Sequence, residues 1–277
     1  MAYAKINSVT NANMAKVSNV AKAAIGKIAN IDAPASGIDN LTNTYSLAFD
    51  GSNDYMEADG GTAMDLDGEF TYAFWFKLAD ASGSGTHAQM PLMFNSGGGL
   101  SYYITTDFST PRNNVPHINT PIGSISGGTI ANPVLSDEEW HFACVTHDIE
   151  TGVASEVKYY LDGSLEGSVS GTVTYTAVTG QDLKIGRYDR DDGGYASIYF
   201  DGHMDEISIW TDKVLTAAEV TSLYNNGVPI DLKTDAGDYA SSSSLAHWWR
   251  MGDGDSFPSI DDSQGSYDFT MTNMAAE

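Results

Sequence analysis

The chain has a single cysteine, Cys144, in 277 residues, which excludes an internal disulfide. Its neighbours Phe142, Ala143 and Val145 are apolar, so the thiol is expected in the core rather than acting as a nucleophile. Basic residues are scarce: 13 Lys and Arg stand against 37 Asp and Glu, a net charge of −24. That balance excludes nucleic acid and anionic membrane as partners of the body, and suits solubility or life in salty water. No run of about 18 apolar residues occurs, so no membrane-spanning helix is expected. The N-terminus also lacks the continuous apolar stretch of a secretory signal, and export by that route is not expected. Proline is sparse at 8 residues, whereas Gly 28, Tyr 15 and Phe 10 favour strands joined by tight turns. With 42% hydrophobic residues, the chain can bury a core and form one all-β domain.

The charge is unevenly spread. Residues 1–31 hold Lys5, Lys16, Lys22 and Lys27 and no acid, so every carboxylate lies beyond them. This basic arm is an internal repeat: AKINSV, AKVSNV and GKIANI begin at Ala4, Ala15 and Gly26, eleven residues apart. Short repeats stack on copies of themselves or on a host surface. On a helical wheel Ile6, Val9, Val17, Val20, Ile28 and Ile31 share one broad face, and an eleven-residue period suits a right-handed supercoil. Asparagine and β-branched residues are poor helix formers, so an extended arm is the alternative. A mitochondrial targeting peptide would carry arginine, and this segment has none. Residues 1–32 are accordingly expected to dock or oligomerise the protein, 33–44 to link, and 45–277 to form the folded body.

Within the body, Phe70–Leu78 alternates: Tyr72, Phe74, Phe76 and Leu78 on one face, Thr71, Ala73, Trp75 and Lys77 on the other. Aromatic residues on both faces predict a strand covered on both sides. Asp162-Gly163 predicts a hairpin. Long Gly- and Pro-rich loops interrupt residues 79–136. Tyr199–Gly227 reads as a strand followed by a short helix. Asp205, Ile207 and Ile209 are expected on one face of the strand, and Glu206, Ser208 and Trp210 on the other. The helix has its ends written in: Thr216 and Glu219 form a capping box, Leu215 and Val220 a hydrophobic staple, and Asn226-Gly227 a stop. Leu245–Met251 and Tyr267–Asn273 predict two final strands.

Six segments in order resemble the laminin-G/pentraxin type of concanavalin A-like domain. They are LAFDGSNDYMEA (47–58), FTYAFWFKL (70–78), EEWHFACV (138–145), KYYLDGSLEG (158–167), LKIGRYD (183–189) and FDGHMDEISIWTDKVLTAAEVTSLY (200–224). The resemblance implies an all-β jelly-roll sandwich of two antiparallel sheets with one short helix. In many members a tryptophan-bearing segment precedes the FDG strand. Here HWWRMGDGD and TMTN follow the helix, so strands 245–273 look circularly permuted. The arm and the WWRMGDGD…TMTNM ending together resemble virion structural proteins of marine tailed bacteriophages.

The resemblance carries site expectations. Glycosidases of this fold place two glutamates on one strand face through E-x-D-x-x-E. The matching stretch is Glu206–Thr211, with Ser208 and Thr211 where carboxylates would stand, so no enzyme activity is expected. Calcium is implied at Asp50, Asp54 and Asp205, or at the loop holding Asp189, Asp191 and Asp192. Such aspartates serve equally as turn formers and caps. Carbohydrate binding needs an exposed aromatic platform. Trp248 and Trp249 are adjacent in a strand, so one is core and the other a platform or a subunit contact. Trp75, Trp140 and Trp210 are expected in the core. No histidine pair shows metal spacing, and His141 is expected to be structural.

Two functions follow. In the first, a non-enzymatic virion protein decorates the capsid or tail, its arm binding other virion proteins or further copies in a homo-oligomer, its jelly roll facing host surface glycans. In the second, a free, calcium-dependent, lectin-like module carries the arm incidentally.

Overall fold

A computed structural model describes residues 41–58, 64–66, 68–79, 88–94, 100–106, 114–120, 123–125, 135, 138–149, 152–172, 178–181, 183–188 and 198–274, with four two-residue strands in 16–32. Two antiparallel sheets make up the body. In the larger, eight strands run in the order Gly123–Ile125, Asn114–Thr120, Leu100–Thr106, Ala88–Phe94, Leu183–Ile185, Tyr55–Ala58, Phe269–Thr272 and Ser259–Ile260. In the seven-stranded sheet the order is Ser164–Thr172, Ala154–Leu161, His141–Asp148, Phe70–Leu78, Asp201–Thr211 and Leu245–Trp249, with Leu47–Asp50 also paired to Asp201–Thr211. The expected jelly-roll sandwich is therefore present. The two strands expected at 245–251 and 267–273, one in each sheet, are a little shorter than the sequence suggests, and Ser259–Ile260 forms another between them.

Hydrophobic residues separate into two layers because the strands alternate. Tyr72, Phe74, Phe76, Val145, Ile207, Trp249 and Phe269 fill the space between the sheets. Ala73, Trp75, Phe142, Trp210 and Trp248 face the other way and meet the helix Ala217–Tyr224 and the segment after it. Phe70–Leu78 thus buries both faces, as its pattern requires.

The helix starts as its sequence dictates. Thr216 Oγ1 accepts from the Glu219 amide at 3.2 Å, and Glu219 Oε2 accepts from the Thr216 amide at 2.8 Å. Leu215 and Val220 are both buried in the outer layer. Burial pushes the Glu219 carboxyl up, but hydrogen bonds from Ser241 and Thr216 outweigh it and hold the group below its ordinary range. The end comes one residue before the expected stop: Asn225 takes the left-handed conformation at φ 42°, and its amide donates to Thr221 O. Thr216→Ala is expected to cost about 1 kcal/mol, read as a small drop in melting temperature with the sheets intact.

In the arm, the described pieces are strands rather than helix. Lys16–Val17 pairs with Val20–Ala21, and Lys27–Ile28 with Ile31–Asp32. The two pairs are offset by the same eleven residues as the repeat, so the second and third copies pair in the same way. Val17 faces Val20 and Ile28 faces Ile31 in register. Ile6 and Val9 lie outside the described residues. Of the expected linker 33–44, the last four residues lie within the described body. Residues 41–44 are bound to the body, with the Leu41 amide donating to Pro229 O and Arg250 Nη2 donating to Thr42 O at 2.7 Å.

Candidate functional site: a cleft beside a bulged acidic strand

Asp201–Thr211 is the strand around which the site is built, and it does not alternate cleanly. Asp205 pairs with Trp75 and Ser208 with Ala73, so three steps on one strand match two on its neighbour. The extra residue is a β-bulge, with Glu206 in the left-handed region at φ 49°. Two consecutive carboxylates consequently fall on the same side of the sheet. Asp205 was expected on the same face as Ile207 and Ile209; the bulge turns it to the other, toward Trp75.

Each carboxyl then finds different partners. Glu206 accepts from Trp248 Nε1 at 2.5 Å and from Arg250 Nε at 3.4 Å. Asp205 accepts from Asn43 Nδ2 at 2.6 Å and from the Glu206 amide at 2.9 Å. Burial, then the Glu206 charge, pushes the Asp205 carboxyl up to about 8. Burial likewise pushes Glu206 up to about 7, moderated by Arg250 and Trp248. Near neutral pH Asp205 therefore carries its proton for much of the time.

The segment that crosses in front of this pair completes a cleft. Asn43, Thr44, Tyr45 and Ser46 form one wall, Trp75, Trp140 and Asp205 the floor and far side, enclosing about 280 Å³. Asp253 Oδ2 accepts from the Thr44 amide at 2.8 Å and fixes that wall. Tyr45 is 62% exposed and Trp140 38% exposed, so two aromatic rings stand at the mouth. Trp140 also meets His203 edge-on at 6.3 Å. Among the described residues lining the cleft, Asp205 supplies the one carboxyl. The volume lies just under the usual range for small-molecule clefts.

Several sequence expectations need correction here. Trp248 and Trp249 do lie on opposite faces, but both are buried, at 2% and 0% exposure, because the helix side of the sheet is covered as fully as the inside. Neither is a platform. Trp140, expected in the core, stands just before its strand and is exposed. Trp75 and Trp210 are buried as expected.

Asp50, Asp54 and Asp205 do not converge, and no group of three metal-ligating side chains occurs among the described residues. Asp50 Oδ1 caps its own turn, accepting from the Ser52 and Asn53 amides, and Asp54 Oδ2 accepts from the Asp50 amide. These bonds give Asp50 Oδ1 and Asp54 Oδ2 a turn-forming role. Asp189, Asp191 and Asp192 lie outside the described residues. His141 is structural, its Nδ1 2.8 Å from Asp162 Oδ2 across the hairpin.

Asn43, Thr44, Tyr45, Ser46 and Trp140 were missed as site residues. The legible signal was the Asp205-Glu206 pair inside an apolar strand, which a regular strand could not accommodate.

A family profile described as the Concanavalin A-like lectin/glucanases superfamily matches residues 50–221. No curated protein sequence matches the chain. Among solved structures, the heptameric SAP-like pentraxin of Limulus polyphemus superposes with a TM-score of 0.53 at 13% identity, covering 83% of this chain and 96% of that one. Domains LG4-5 of the mouse laminin α1 chain give 0.42 at 15% identity, over 61% of this chain and 41% of that one. Tailspike protein 2 of Escherichia coli O157:H7 bacteriophage CAB120 gives 0.42 at 12% identity, over 78% and 32%. The latter two carry no weight in the assignment. With the profile spanning more than half of its length, and a sandwich in place of any other β architecture, the chain belongs to the Concanavalin A-like lectin/glucanases superfamily.

Proposed function

We propose that this protein is a non-enzymatic carbohydrate-binding module, anchored by its N-terminal arm to the capsid or tail of a tailed-bacteriophage virion and turning the Tyr45–Trp140 cleft toward host surface glycans. The observation that carries the binding reading is the pair of exposed aromatic rings at the mouth of a polar cleft. Aromatic faces stack on the C–H faces of sugar rings, while Asn43, Thr44 and Ser46 offer hydroxyl and amide groups for the sugar hydroxyls. A protonated Asp205 would donate to a neutral sugar without the cost of burying a charge.

The same geometry supports a binding rather than a hydrolytic role. Glu206 is occupied by Trp248 and Arg250, and Ser208 Oγ donates to Ala73 O at 3.3 Å. No second carboxyl stands across the cleft among the described residues, as a glycosidase would need. The virion setting draws on the repeat arm and its resemblance to phage structural proteins.

A panel of bacterial surface polysaccharides and oligosaccharides, titrated against the full chain, tests the binding reading. Trp140→Ala is expected to weaken the best binder about tenfold, the worth of one stacked ring, with the melting temperature unchanged. Binding should persist in chelator; its loss there would favour the free calcium-dependent lectin. A panel with no binder, or a Trp140→Ala variant that binds like the parent, overturns the cleft assignment. Mass spectrometry of purified particles tests the virion setting.

A further inference from the structure

The strand Leu47–Asp50 has one partner, Asp201–Thr211, and its other edge is open among the described residues. Hydrogen-bond phase shows what that edge presents. The Gly51 amide donates inward to Phe200 O at 2.9 Å, whereas the Asp50 amide points away and donates to Asp54 Oδ2. Alternation in an antiparallel pair then sets the Ala48 N–H and C=O outward as well. A groove of about 1100 Å³ runs along this edge. Met251, Met271 and Met274 line it with adaptable apolar surface, and Asp50, Asp54 and Asp255 give it acidic walls.

We propose that the N-terminal repeat of a second copy of this chain docks in that groove as an added strand, pairing with the outer edge at Ala48. An open strand edge is a template for such pairing, which gives affinity through main-chain hydrogen bonds and specificity through alternate side chains. The repeat fits both demands. Successive residues of an added strand alternate between its faces, so each Lys-(Val/Ile) unit of the sequence would offer a cation to the carboxylates and a branched side chain to the methionines. Lys16–Val17 and Lys27–Ile28 are extended in the structure. The first 31 residues carry lysine and no acid, the complement of the groove. A chain's own arm is poorly placed for it, because residues 41–44 leave on the helix side, tied to Pro229 and Arg250. Reaching its own open edge would require a reversal within 33–40, which a second copy does not need. Reciprocal exchange of arms closes a symmetric oligomer.

This inference rests on the assembly role proposed for the arm, and its test keeps the two apart. Light scattering of the full chain is expected to give a multiple of 29.6 kDa. Ala48→Pro removes the outward donor without touching the inner ladder, and should reduce the mass to the monomer. Lys16→Glu with Lys27→Glu should do the same while leaving the body's fold untouched, and decides the matter if the proline variant misfolds. Carbodiimide coupling in a mixture of ordinary and nitrogen-15-labelled protein should join lysines of one isotope to groove carboxylates of the other. A monomeric parent, full mass retained by both variants, or links confined to one isotope would each overturn the proposal. Glycan titration of the monomeric variants and particle mass spectrometry report separately on the reading above.

Discussion

Gly202→Ala is expected to abolish the folded body, or to lower its stability by about 3 kcal/mol or more, a drop of about 10 °C in melting temperature. Gly202 is the second residue of the bulged central strand, and a Cβ there would lie 2.2 Å from Lys77 O, 2.9 Å from the Phe200 ring and 3.2 Å from Leu78 Cα. Two of those atoms are backbone of the adjacent strand, so no rotamer change relieves the overlap. The strand must move, taking with it the pairing to both Phe70–Leu78 and Leu47–Asp50. Gly254→Ala is the matched control. It also sits at positive φ, 101°, yet nothing lies within 4 Å of its Cβ. Its cost should stay near 1 kcal/mol, the conformational penalty alone. Thermal unfolding of the two variants side by side separates crowding from backbone strain, and equal losses would refute the crowding argument.

The second large effect is a peaked dependence of stability on pH. Asp205 and Glu206 have folded pKa values raised to about 8 and about 7. The folded state therefore holds these protons more tightly than the unfolded chain does. The resulting stabilisation is complete below the ordinary carboxylate range and is lost progressively as pH rises from there through 7 and 8. His147 acts in the opposite sense: burial pushes its imidazole down to about 3, where it stacks on Phe70 at 4.2 Å. The unfolded chain binds that proton first, so stability falls as pH drops below about 6.5. Two carboxyls outweigh one imidazole over the range where all three act, so melting temperature should peak near pH 4 and decline from there, with about 2 kcal/mol of the loss falling between pH 7 and pH 9. Asp205→Asn should flatten the alkaline limb and leave the acid limb alone. Its amide can still accept from the Glu206 amide, while Asn43 turns its unpartnered Oδ1 to meet the new NH₂ group. An unchanged alkaline limb in that variant would show that Asp205 does not carry the proton.

Legibility of the site differs residue by residue, for reasons of distance along the chain. The helix at 217–224 was readable down to its capping box because its determinants lie within five residues. The covering of Phe70–Leu78 on both faces was readable too, since alternation is a property of the strand itself. Trp248 and Trp249 show where such reading stops. Their opposite orientations follow from adjacency, but the burial of Trp248 depends on a layer built from the helix and on Ile230, Leu232 and Tyr239 beyond it, and that of Trp249 on the opposite sheet. The cleft is further removed still. Asn43 reaches Asp205 across 162 residues and Thr44 reaches Asp253 across 209, separations that no local pattern encodes.

Taken alone, the order of amino acids determined the layered β body, its capped helix and the basic repeat. Each of these follows from periodicity, turn chemistry or residue identity over a short window. Tertiary structure decided which carboxylates share a face, which tryptophans meet solvent and which strand edge stays open. One bulged residue at Glu206 turns Asp205 outward, and a crossing segment at 43–46 closes a cleft around it. Both depend on strands far apart in the chain meeting at a register that only the packed sheets define.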